Sequence, residues 1–277
     1  MVVVLASLVA ASAVRAEERL PTYLRDRGTG VPTSMFATWV ERGELLVYPF
    51  AEYYYDSNYE YKPAELGYGL ERDFRGKYEA FEQLLFLSYG ITDFLAVEVE
   101  AATIHARLEK NPSDPSAVPR EIKEAGLGDV EGQLRGRWLT EAKVRPEVFS
   151  YFETVVPTAG DNILIGTPDW ELKLGTGVTK GFSFGTFTLR AAVEHDFAED
   201  ETALGEAALE WVKRLSPQFR VYLGVEGSED EWEGITEVQW HFHRQAYLKL
   251  NNSFGLTSKA TDFAPEAGVM FSFPVAR

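Results

Sequence analysis

The chain has 277 residues, 45% of them hydrophobic and 13% aromatic, with no cysteine and a formal charge of -16. Past the N-terminus no apolar run approaches the ~20 residues that a spanning helix needs, which excludes a helical membrane bundle. The negative charge repels phosphate and excludes nucleic acid as a partner, and without disulfides stability rests on packing, hydrogen bonding or closure of a sheet.

The N-terminus opens with VVVLASLVAASAV at residues 2–14, followed by Val14-Arg15-Ala16, with small residues where signal peptidase cuts. Residues 1–16 therefore read as a secretory signal. Residues 17–43, containing GTGVPTSMFATWVERG, read as an N-terminal periplasmic tail or plug, because an extra strand there would spoil an even strand count. From residue 44 the chain alternates in polarity at a period of two, the signature of strands with two unlike faces. Twelve strands are expected, at 44–55, 77–90, 94–105, 126–139, 145–156, 170–179, 184–197, 203–214, 219–226, 234–243, 246–256 and 266–275. No helical period is sustained.

The connections between these strands alternate, long then short. Polar or proline-bearing stretches at 56–76, 106–125, 157–169, 198–202, 227–233 and 257–265 take turns with tight links near 91–93, 140–144, 180–183, 215–218 and 244–245. An outer-membrane barrel has this asymmetry, and an even number of strands puts both chain ends in the periplasm. Ten residues at ~3.3 Å each, tilted by ~40°, span roughly the 25 Å of its apolar band. The fold class expected is all-β: a single antiparallel up-and-down transmembrane β-barrel of about 12 strands over 44–277. A secreted sandwich is the competing fold, but its loops do not sort by parity.

On this reading one parity meets lipid, with Leu95, Val97, Val99, Leu134, Trp138, Leu174, Leu189, Leu209, Trp240 and Phe273 among its members. The other parity lines the lumen and supplies the candidate site residues: Glu98, Glu100, Asp129, Glu131, Arg135, Arg137, Glu171, Lys173, Arg190, Glu194, Glu206, Glu210, Arg220, Glu226, Glu237, His241, His243 and Lys249. Buried charges survive only when paired or hydrated, so the interior is either an ion-paired, nearly closed core or a narrow wet pore. Twelve strands leave room for either.

Tyr89-Gly90-Ile91-Thr92-Asp93 before one strand, Gly126-Leu127-Gly128-Asp129 opening the next and Val155-Val156-Pro157-Thr158-Ala159-Gly160 closing the one after form a familiar set. Over residues 44–275 the chain resembles the outer-membrane proteins of the MetA-pathway of phenol degradation family. The resemblance implies an outer-membrane barrel related to channels for hydrophobic or aromatic compounds, and it carries no catalytic motif. One departure is the end of the chain: Phe273 is followed by Pro274-Val275-Ala276-Arg277, where such barrels commonly finish on an aromatic that the assembly machinery reads.

His241 and His243 share a parity and could hold a metal with Glu226, but a lumen pair hydrogen-bonded to carboxylates is the simpler expectation. Gly175-Thr176-Gly177-Val178-Thr179-Lys180-Gly181 lacks the Lys-Ser/Thr ending of a phosphate loop and reads as a small-residue strand and turn. No serine sits beside an inward histidine in a nucleophile motif. The expected function is a channel passing small solutes, hydrophobic ones included, with no catalysis, metal or cofactor. Its expected partners are outer-membrane lipid and lipopolysaccharide, the solutes and the barrel-assembly machinery. A closed structural barrel and a lipid-acting enzyme are the alternatives.

Overall fold

A computed structural model describes residues 20–160, 162–198 and 200–275; the expected signal segment, 1–16, lies outside the described residues. After a 3-10 turn at Thr22–Leu24 come two short strands, β1 (Val31–Pro32) and β2 (Trp39–Val40), paired as a hairpin. Twelve long strands follow: β3 (Glu44–Tyr61), β4 (Phe74–Thr92), β5 (Leu95–Glu109), β6 (Glu121–Leu139), β7 (Glu147–Val156), β8 (Glu171–Phe182), β9 (Gly185–Asp196), β10 (Glu201–Arg214), β11 (Phe219–Ser228), β12 (Glu231–His243), β13 (Ala246–Gly255) and β14 (Phe263–Pro274). Each pairs antiparallel with its sequence neighbours, and β14 pairs with β3 to close the sheet. The twelve-strand barrel expected from the alternation is the fold found.

The two parities sort as a barrel in lipid requires. On β5, Ala96, Glu98, Ile104 and Leu108 are buried while Val97 and Val99 face outward. Leu174, Leu189 and Leu209 are 64%, 61% and 54% exposed, so the outer surface is an apolar band far larger than a soluble monomer presents to water. Aromatic side chains crowd its ends: Phe182, Phe184 and Phe187 form one cluster, and Trp240 packs on Phe242 near the same rim. A bulge on β6 between Leu127 and Val130, opposite Ala101 to Thr103 of β5, re-phases β6, so that Leu127 and Leu134 both face outward despite their unlike parity.

Two expectations about the connections change. β10 begins at Glu201, inside the stretch 198–202, and across 227–233 β11 and β12 stay paired up to Ser228 and Glu231, where Glu229 takes a left-handed φ of 45°. The link between β6 and β7, expected to be tight, spans 140–146 because Glu141 folds back toward the interior. Loop length therefore alternates by rim only in part, with the longest connections at 62–73, 110–120 and 157–170.

The glycine-rich stretch at 175–181 lies within β8, and its inner face is occupied. The rings of Tyr151 and Phe149 on β7 lie against Gly175 and Gly177, where a Cβ would collide with them. Glycine serves here to let two large inward side chains fit across the ladder.

Arginine at Leu174, in the middle of the apolar band, should destabilise the barrel by about 2–4 kcal/mol in a bilayer. Denaturant titration in phospholipid vesicles of Leu174→Arg against the parent chain measures it.

Candidate functional site

The interior is built from the inward parity of all twelve strands and from residues 20–43. Val31 and Val40 are fully buried against Leu46, Tyr48, Phe50, Phe86, Ala96 and Met270, on β3, β4, β5 and β14. Ala37 packs on Val212, Tyr222 and Ile235 of β10, β11 and β12, and Phe36 stacks on Tyr222 at 5.0 Å. One short hairpin thus touches strands on both sides of the closed sheet.

Its polar contacts are few and strong. Arg27 Nη2 lies 3.0 Å from Glu141 and 3.1 Å from Glu147, all three side chains being at most 1% exposed. Arg137 donates to the Gly30 carbonyl and lies 3.5 Å from Glu147. The Ser34 amide and hydroxyl both donate to Glu98, at 2.9 and 2.7 Å. Lys249 donates to the Phe36 carbonyl and pairs with Glu237, each at 3.2 Å. Asp26 accepts from the Arg214 amide at 3.0 Å and from Lys213 at 3.2 Å. Hydrogen bonds to ionised groups are the stronger kind, and here they fix a segment that shares only one hairpin's worth of backbone pairing.

The wall beyond the hairpin carries its own ion pairs. Arg190 on β9 engages Glu206, together with Glu210 at 2.8 Å and Glu226 at 2.6 Å. Lys173 bridges Glu153 at 3.1 Å and Glu194 at 3.6 Å. Arg135 donates to Gln133, lies 3.9 Å from Glu98 and stacks over the Tyr151 ring at 4.9 Å. Arg220 stands opposite Gln239, whose Oε1 is 3.2 Å from His241 Nε2, and His241 stacks on Tyr247.

Among the described residues, cavities of about 290 Å³ and about 300 Å³ lie inside the barrel. The first is bordered by the hairpin tip, Ser34 to Phe36, and by the Arg135, Lys173 and Arg190 wall. The second lies against Ile165, Gly166 and Thr167 of the connection between β7 and β8, with Glu52, Tyr54 and Glu82 on its other side. Glu100, Glu131, Val155 and Glu171 border both, so they sit where the cavities meet. Asp129 does not stand free in the wall: it accepts from the Ala159 amide at 3.0 Å and the Thr167 hydroxyl at 3.0 Å, holding that connection over the interior. Outside the barrel, burial acts to raise the Asp114 carboxyl in the 110–120 loop. Hydrogen bonds from Ser116 and Tyr61 and the nearby Lys110 ammonium outweigh it and hold the group below the usual carboxylate range.

His243 departs from the expected pairing with His241. A register shift between Trp240 and His243 places His243, exposed, at the turn, where its Nδ1 accepts from the Gln245 amide at 3.2 Å, while Glu226 is engaged by Arg190. Among the described residues no three histidine or acidic side chains gather as a metal group. Residues that the candidate set lacked include Arg27, Glu52, Glu82, Glu141, Glu147, Tyr151 and Glu153. The alternation Glu147, Phe149, Tyr151, Glu153, Val155 marks β7's inner face in the sequence; nothing local marks Arg27, whose partners Glu141 and Glu147 are over a hundred residues away, or Glu141, which also pairs with Lys180.

A closed, apolar-skinned barrel with a charged interior is the fold of outer-membrane β-barrel proteins. No family model and no curated relative matches the chain. Among solved structures it is similar to an outer membrane channel from Pseudomonas putida F1, with 15% identity and a TM-score of 0.62 over 84% of this chain and 97% of that one. It is also similar to the translocator domain of the autotransporter NalP from Neisseria meningitidis, with 13% identity and a TM-score of 0.56 over 96% of this chain and 98% of that one. The fold that the sequence resemblance implied is the fold of these neighbours.

Removing Arg190 leaves three carboxylates facing one another. Arg190→Met should destabilise the barrel by about 3–5 kcal/mol, and adding Glu210→Gln with Glu226→Gln should recover part of the loss. Denaturant unfolding in detergent micelles compares the variants.

Proposed function

We propose that the protein is an outer-membrane channel that passes small solutes, hydrophobic ones included, and that residues 20–43 act as a plug entering from the periplasmic rim. In this reading both chain ends lie in the periplasm, lipid and lipopolysaccharide surround the band, and the barrel catalyses nothing. The observation that carries it is the pair of cavities inside a closed sheet, bordered on one side by the hairpin tip. Interiors of closed structural cores are filled by side chains, whereas roughly 300 Å³ of empty volume is the lower end of what ligand-sized pockets occupy. The likeness in fold to the Pseudomonas putida channel supports the same reading.

The plug is held by buried ionic contacts and by the packing of Val31, Val40 and Ala37 on the inner wall, with little backbone pairing to the barrel. Arg27 is the strongest single tie. Planar bilayers test the reading. The parent chain should conduct weakly, and Arg27→Ala should raise its mean conductance several-fold as the hairpin leaves the interior. A barrel that folds, inserts and carries neither current nor solute flux in either form would be a closed structural one. Turnover of phospholipid by the purified chain would favour the enzyme alternative instead.

A further inference from the structure

The outer surface of β3 to β6 departs from the rest of the band. These strands have 15 to 19 residues each, against 10 to 14 on β7 to β14, so they carry their outward parity further past the hydrocarbon. Register stacks their outward side chains in rows. Toward the rim away from the chain ends, Glu79, Arg107 and Lys123 stand directly opposite one another across β4, β5 and β6. The row below holds Phe81, His105 and Ala125, and the next Ala51, Gln83, Thr103 and Leu127. Elsewhere along that rim the exposed side chains are Phe197, Phe254 and Phe263, and among the described residues no arginine or lysine faces outward there from β7 to β14.

Two hollows in the outer wall follow these rows. One, of about 740 Å³, is lined by the small residues Ala51, Ala101 and Ala267 and by the larger Phe81, Leu85 and Leu127. The other, of about 450 Å³, is lined by Tyr53, His105 and Ala125 and, toward the rim, by Glu79, Arg107 and Lys123. Phe81 borders both, so the two adjoin. Gln83 and Thr103 line the first, and among the described residues neither side chain has a hydrogen-bond partner. Hydrocarbon offers them none, so a polar pair at this depth points to a ligand that brings hydrogen-bonding groups into the band.

The charge at the upper row points to the same ligand. Arg107 lies 3.7 Å from Glu79 and 2.9 Å from Glu121, and also pairs with Glu109; Lys123 lies 2.5 Å from Glu121. Glu109 and Glu121 belong to the next row out, opposite Lys77, and Glu124 turns inward to the Leu164 amide. Glu79 is therefore the single carboxylate in the row with Arg107 and Lys123, above His105. Exposed ion pairs of this kind contribute little, so a phosphate can take their place, with the arginine fork accepting two of its oxygens. With a formal charge of -16 over the chain, this is a local exception and not a general affinity for phosphate. Four residues separate this row from that of Gln83 and Thr103, roughly 10 Å at ~3.3 Å per residue and ~40° of tilt. Phosphate above, hydroxyl and amide groups about that far below, and hydrocarbon beneath them are the chemistry of a phosphorylated, hydroxyacylated glycolipid. We propose that this face binds lipopolysaccharide, with Arg107 and Lys123 on a lipid A phosphate, Gln83 and Thr103 on the amide and hydroxyl groups of its acyl chains, and one chain in the hollow over Ala51, Ala101 and Ala267. The inference rests on the reading that puts both chain ends in the periplasm, since only then does this rim meet the outer leaflet.

Native mass spectrometry of the full chain in detergent reads bound lipid directly. Diphosphoryl lipid A should be retained at least about tenfold more than phosphatidylglycerol at equal concentration, and lipid A stripped of both phosphates should lose that advantage. Arg107→Gln with Lys123→Gln should lower lipid A binding about tenfold. Gln83→Leu with Thr103→Val, which makes the band more apolar, should lower it as well, and both variants should keep heat-modifiable gel mobility, the mark of a folded barrel. Should the charge pair fail to fold, Lys123→Gln alone, at an exposed side chain, carries the same expectation. No preference for lipid A, or a preference unchanged in the folded charge variant, would overturn the site. Orientation is read separately: Ser113→Cys, in the loop beyond this rim, should react with an impermeant maleimide on intact cells. Lipid A selectivity without that labelling would overturn the periplasmic placement of the chain ends, and with it the outer-leaflet proposal.

Discussion

Closure of the sheet on itself is the constraint from which the rest follows. In hydrocarbon no water satisfies a backbone amide or carbonyl, so a spanning sheet tolerates no open edge. The pairing of β14 with β3, from Phe263↔Tyr55 to Pro274↔Glu44, removes the last one. Once the ring is closed, side-chain parity has a fixed meaning around the whole circumference. One face must be apolar enough for lipid, and the other must manage whatever polarity remains.

That second task explains the interior. An unpaired ion in a confined, poorly hydrated space is costly, and a base ringed by carboxylates spreads the cost over several partners. Arg190 with its three glutamates and Lys173 with two are local solutions of this kind. Arg27 is a long-range one, since it reaches Glu141 and Glu147 from the hairpin and ties that segment to the wall.

Much of this was legible in the sequence because a strand's period is short and its meaning local. Val97, Glu98, Val99 and Glu100 declare their faces without knowledge of any neighbour, and all four face as their parity indicated. Bulges were not legible. The re-phasing of β6 near Gly128 and the turn that carries His243 outward depend on how two strands share a register, which a single strand does not encode. Strand lengths at the rims were underestimated for a related reason: acidic and glycine-rich stretches such as GSEDEWE look like loop, yet cross-strand pairs such as Gly227↔Trp232 extend the ladder through them. The hairpin's role in the interior was hidden most completely, because Arg27 and Ser34 acquire partners only when the barrel wraps around them.

The meaning of the two faces is open to one direct measurement, made simple by the absence of cysteine from the chain. Gln133 and Leu134 are consecutive on β6, the first turned inward and the second outward. Single cysteines at these positions, in barrels folded into phospholipid vesicles, can be treated with a small charged thiol reagent and, separately, labelled with a fluorophore and exposed to lipid-borne nitroxide quenchers. Gln133→Cys should react with the charged reagent and escape quenching, and Leu134→Cys should resist the reagent and be quenched. The opposite pattern, or equal reactivity at both positions, would contradict a lipid-spanning barrel with a wet interior.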